Sequence, residues 1–163
     1  MSDESDLILL ADAIVAAWAA AVQAAYELGE QAFAAEFTAE ARLLPAVELE
    51  DLPADEDARV YVIPAASAES RVGGGASPVC TADLSVDVVV QKKLGDGDID
   101  SQGRPLLLLA QQLRDALKPL ALSVGGRRAV LASIEADPAY GHATLFQTRC
   151  FASAATLTFR MAR

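Results

Sequence analysis

Histidine is nearly absent from this chain: His142 is the only one among 163 residues. Acid–base or nucleophilic chemistry would therefore have to be built on one imidazole, and no Gly-x-Ser-x-Gly pattern accompanies it. Cysteine is nearly as scarce. Cys80 and Cys150 show no metal-ligand spacing and read as small core residues on neighbouring strands. Cations are the minority charge: 13 Lys and Arg face 23 Asp and Glu, a formal net charge of −10. That balance argues against wrapping nucleic acid or lying on an anionic membrane, both of which need clustered Lys and Arg. A long clean hydrophobic run is missing too. The stretch from Leu7 to Ala25 is interrupted by Asp12 and Gln23, and the segment before it, Ser2-Asp-Glu-Ser-Asp6, is acidic where a signal peptide needs basic residues. The expectation is an intracellular protein with reduced cysteines.

Motifs for bound groups are equally thin. Gly73-Gly-Gly75 lacks the Lys-Ser/Thr ending of a phosphate loop. Gly95-Asp-Gly-Asp-Ile-Asp100 begins like a calcium loop, but Ser101 stands where the glycine belongs and Leu107 where the bidentate glutamate belongs. The segment reads instead as a turn delivering Asp100 or Ser101 as a helix cap. Carboxylates abound, yet spacing singles out no pair for acid–base work. The reading is no metal and no cofactor.

What the chain does have is alternation. In Thr81–Gln91, Leu84, Val86, Val88 and Val90 fall on one face and Asp83, Ser85, Asp87 and Gln91 on the other. In 149–160, Phe151, Ser153, Ala155, Leu157 and Phe159 share a face opposite Thr156, Thr158 and Arg160. Period two of this kind predicts a sheet with one face buried and one face wet or against a partner.

The remaining segments arrange themselves around those strands. Residues 3–28 predict a helix, with Leu7, Leu10, Ala11, Ile14 and Trp18 at helical spacing and Gly29 as its stop. Residues 33–45 predict a strand ended by Pro45, and 59–64 a short strand closed by Pro64. Residues 65–79 predict a flexible glycine-rich loop. A second helix is expected over 103–118, then a turn at Gly125-Gly-Arg-Arg128 and a strand over 129–135 with Val130, Ala132 and Ile134 as one set. A loop opening at Asp137-Pro138 leads to a last strand over 147–161. Strands in runs around isolated helices point to an α+β domain spanning 1–163: a mixed, mainly antiparallel sheet of about five strands with two helices on one face. Fifty-three per cent hydrophobic residues suffice for a core, although much of that is alanine.

Two charged segments remain for contacts with other molecules. The acidic run contains Glu48, Glu50, Asp51, Asp55, Glu56 and Asp57, and reads as a solvated connector or as a docking patch for a basic partner. Arg127 and Arg128 would clamp an anion or meet an acidic patch on a neighbouring copy; the second is preferred.

Taken together, Arg42-Leu-Leu-Pro45 with its acidic sequel, Val60-Tyr-Val-Ile-Pro64, Val86–Leu94 with Ile99-Asp100 before a helix, and the close Phe151–Arg160 resemble the tail-terminator and neck (head–tail joining) proteins of tailed bacteriophages. The similarity covers most of the chain from about residue 33. It implies an α+β structural virion protein without enzymatic activity or cofactor. It implies a ring, typically of six copies, that caps the tail tube, stops its polymerisation and meets the head connector while DNA passes through the lumen. The chain would sit in the host cytoplasm before assembly and in the virion after it. Alternatives within the virion are another neck, tail-tube or head-completion component. Outside it stand an interaction module and a small-molecule-binding or enzymatic α+β domain, which would need a pocket of convergent polar groups.

Overall fold

The computed structural model describes residues 3–43, 57–72, 79–136 and 139–162. The chain order is helix α1 (Asp3–Glu27), strands β1 (Phe37–Ala41), β2 (Ala58–Val72) and β3 (Val79–Lys93), helix α2 (Ile99–Asp115), strands β4 (Ala121–Val124) and β5 (Arg127–Glu135), helix α3 (His142–Thr148) and strand β6 (Cys150–Ala162). The six strands form one sheet in the order β1-β2-β3-β6-β5-β4. Only β1 and β2 run parallel; the other pairings are antiparallel. The α+β class of the sequence reading holds, with one strand and one helix more than expected.

The alternation in β3 and β6 does what period two requires. Leu84, Val86 and Val90 are buried with Phe151, Leu157 and Phe159, and the strands pair so that Leu84 faces Phe159 and Val86 faces Leu157. Onto this inner face α1 lays Leu10, Ile14 and Trp18, and α2 lays Leu106, Leu109 and Leu113, in one continuous core. Each large side chain so buried contributes roughly 1.5–3 kcal/mol. By length and composition 6–27 of α1 would suffice to cross a membrane; here one stripe of it is interior and the opposite side is exposed. The helix ends as Gly29 predicts: at φ +71° it lets its N–H donate to the Tyr26 carbonyl (3.0 Å) while Glu30 N–H donates to Ala25 (2.9 Å), satisfying two terminal acceptors.

Several expectations need correction. Pro64 does not close β2, and 65–72 are strand instead of loop. Strand β1 pairs only with 58–62, so beyond Val62 that edge of β2 has no strand neighbour among the described residues, and a missing N–H costs nothing there. The ladder to β3 slips at Pro64/Ala66, a bulge that absorbs the proline. Of the proposed loop, 73–78 lie outside the described residues. The first strand is shorter than 33–45, spanning only Phe37–Ala41.

Helix α2 starts four residues early because Asp98, not Asp100 or Ser101, is its cap: its carboxylate accepts from the N–H groups of Asp100 and Ser101, both at 3.3 Å. Arg127 and Arg128 belong to β5 and not to the turn, which is Gly125-Gly126 alone, at φ +57° and +79°. Val130 and Ile134 do not share a face. A register shift between Leu131 and Ser133 places Val130 opposite Arg160 on the outer face and Ile134 opposite Leu157 on the inner one. Helix α3 replaces part of an expected loop. Gln91 sits on the outer face yet is 7% exposed, near the equally enclosed Tyr61 and Cys150, so that face is not wet throughout. Cys80 is only partly buried, and the two cysteines lie at opposite ends of β3 and β6, neither in a disulfide.

Candidate assembly surfaces

The outer face of the sheet is a ladder of cross-strand polar pairs. Arg160 donates to both carboxylate oxygens of Asp83, from Nε at 2.8 Å and Nη2 at 3.2 Å. Thr156 Oγ1 donates to Asp87 at 2.7 Å, and the Ser85 and Thr158 hydroxyls meet at 2.9 Å. On β2 and β3, the Ser70 and Thr81 hydroxyls do the same at 2.9 Å. The hydrogen bond from Arg160 holds the Asp83 carboxyl below its ordinary range; partial burial acts weakly the other way, and the neighbouring positive charge adds to the lowering. The same pair raises Arg160. These side chains satisfy one another across the strands and so hold neighbouring strands in register.

The two charged segments fare differently. Glu48, Glu50, Asp51, Asp55 and Glu56 lie outside the described residues. Asp57 is described and exposed, immediately before β2. Arg127 and Arg128 are exposed at the β4–β5 hairpin. They are not a two-pronged clamp. Arg127 is paired with Val124 and Arg128 with Ser123, so the two side chains leave opposite faces of the sheet. Of the acidic positions only Asp57 is described, and it is not beside either arginine. Asp57 is beside the β1 margin and the arginines are beside the β4 margin.

A feature the sequence did not announce is a cleft of 780 Å³ between the start of α2 and α3. Ile99, Leu107, Leu145 and Phe151 supply its apolar walls, and Phe146, 81% exposed, stands at its mouth. Tyr140 stacks on Phe151 with ring centroids 5.9 Å apart and lies 4.4 Å from the ring of His142. The loop carrying Tyr140 is tied down by Ser153 Oγ, which donates to Ala139 O at 2.6 Å, and by Gly141 N–H, which donates to Ala152 O at 3.1 Å.

The charged groups of the cleft already have work within the fold. Asp98 caps α2, and Arg104 Nε bonds Asp100 at 2.6 Å. Among the described residues its lining holds no serine, cysteine or lysine to act as a nucleophile beside His142. Among the described residues no group of three His, Cys, Asp or Glu is placed to hold a metal ion. The aspartate run that resembled a calcium loop is instead held as a turn, by Gln102 on Gly95 (2.9 Å to its N–H) and by Arg149 Nη2 on the Gly95 and Gly97 carbonyls (2.6 and 2.8 Å). The available signal for the cleft was slight: His142, Leu145 and Phe146 at helical spacing within a segment too short to stand out.

Searches of protein-family models and of curated protein sequences find no match to this chain.

Proposed function

We propose that this protein is a structural subunit that assembles head to tail with copies of itself, and that the assembly is the ring of a bacteriophage tail terminator or neck component. The observation carrying this reading is the unlikeness of the two sheet margins. One, at β1, carries Glu36 and Asp57; the other, at the β4–β5 hairpin, carries Arg127 and Arg128. A subunit with two different, complementary margins makes a heterologous contact, which closes into a ring or runs on as a filament. The net charge of −10 suits a lumen that DNA passes without sticking. On this reading the ring takes six copies, caps the tail-tube protein and meets the head connector, first in the host cytoplasm and then in the virion. It needs no enzymatic step and no cofactor.

The cleft beside α3 fits the same reading as a socket for an apolar side chain of a neighbouring tail or connector protein, because its walls are largely apolar and Asp98, Asp100 and Arg104 are engaged internally. Negative-stain electron microscopy with mass measurement on the purified protein tests the proposal. Closed rings with a pore wide enough for duplex DNA are expected. A protein that stays monomeric at every concentration, at low salt as well as high, would overturn it.

A further inference from the structure

Eight arginine side chains are described, and they differ in one respect. Arg42 pairs with Glu40, Arg104 with Asp100 and Arg160 with Asp83; Arg114 bonds the Ala110 carbonyl, Arg149 bonds Gly95 and Gly97, and Arg59 also has a partner. Arg127 and Arg128, both exposed, make no hydrogen bond or ion pair among the described residues. Their hairpin also presents apolar surface: Val130, 47% exposed, lies on the same face as Arg128, and Leu120, 38% exposed, leads into β4.

The complement to this tip is elsewhere on the same chain. A groove of 430 Å³ opens between the end of α1 and the start of β1. Val22, Tyr26, Phe33 and Phe37 line it. Phe37 is held edge-on by Phe33 at 5.3 Å and by Trp18 at 6.4 Å, so the aromatic floor is pre-formed. Glu30, Glu36 and Asp57 stand at its rim, exposed and without a side-chain hydrogen bond or ion pair among the described residues. A guanidinium suits such a site twice over, stacking flat on aromatic rings and bonding carboxylates in pairs.

The positions of tip and groove decide what can fill it. Strand β1 begins beside Ala58, and the first residues of β2 pair with Gln91 near the end of β3. Ala129 pairs with Met161 near the end of β6, and Ala82, near the start of β3, pairs with that same Met161. Tip and groove thus lie at opposite ends of the strands, so a chain does not fill its own groove. We infer that the groove bounded by Tyr26, Phe33 and Phe37 receives the β4–β5 hairpin of a second copy, with that copy's arginines on Glu30, Glu36 and Asp57. This names the contact of the head-to-tail assembly proposed above and rests on that proposal.

Charge exchange tests it. One variant carries Arg127→Glu and Arg128→Glu; the other carries Glu30→Arg, Glu36→Arg and Asp57→Arg. All five positions are exposed, and circular dichroism checks that each variant folds. Self-association, measured by mass photometry and sedimentation, is expected to weaken about tenfold or more in either variant alone. An equimolar mixture is expected to recover it, since each altered margin then meets its complement, and an even-numbered ring accommodates alternating copies. Failure of the mixture to recover association, or variants that assemble like the parent, overturns this contact while leaving the ring reading standing. A parent protein that does not self-associate at low salt overturns both.

Discussion

Trp18 joins the two long helices through one atom. Its indole N–H donates to the Leu113 carbonyl at 2.9 Å inside the core, which satisfies an acceptor near the end of α2 where helical partners run out. Trp18→Phe keeps most of the apolar bulk and removes that donor. The expected loss is about 1–3 kcal/mol, read by urea denaturation, because the buried carbonyl then has no partner. The outer face supplies a second test. Asp83 has its pKa lowered on folding, so its contribution to stability is complete above the ordinary aspartate value of about 4 and fades as pH falls through the lowered one. Asp83→Asn should therefore melt below the parent at neutral pH, with the gap narrowing as the pH is taken below about 4. A gap that stays constant over that range would show that Arg160 does not discriminate the charged form.

Elements were legible to the extent that their reasons were local. The stripe of Leu7, Leu10, Ala11, Ile14 and Trp18 defines α1 because a helix repeats every 3.6 residues, and Gly29 marks its end because few other residues adopt a positive φ. Open space surrounds a Cβ added at Gly29, so Gly29→Ala isolates the backbone term: a loss of about 1–2 kcal/mol by thermal melting is expected. The missed elements were short or looked interrupted. Strand β4 has four residues and exists because Gly125-Gly126 turns it back onto β5. Helix α3 has seven residues, and Gly141 gives it no side-chain cap. Proline at 64 reads as an end, and the shortness of its neighbour β1 together with the bulge at Pro64/Ala66 lets the strand run on.

On the scale of the whole molecule, the sheet has two unlike margins, a polar outer face and a cleft beside α3. The proposed head-to-tail contact is rimmed by solvent-exposed charges. Assembly is therefore expected to weaken as salt rises from about 0.1 M to about 1 M, as followed by light scattering, because screening shortens the reach of those charges. An assembly strengthened by salt would instead point to the apolar floor as the dominant contribution.

Alternation in the chain was enough to sort Leu84, Val86, Phe151, Leu157 and Phe159 to the inside and Asp83, Asp87, Thr156 and Arg160 to the outside, because the two-residue repeat of a strand belongs to the backbone and needs no partner. The chain's composition likewise set its charge and its single imidazole. Which strands are neighbours, which face Gln91 is enclosed on, and how far Arg127 and Arg128 stand from Asp57 were decided only by the tertiary structure. Those relations join residues far apart in sequence, through hydrogen-bond ladders and a bulge whose register no local pattern encodes.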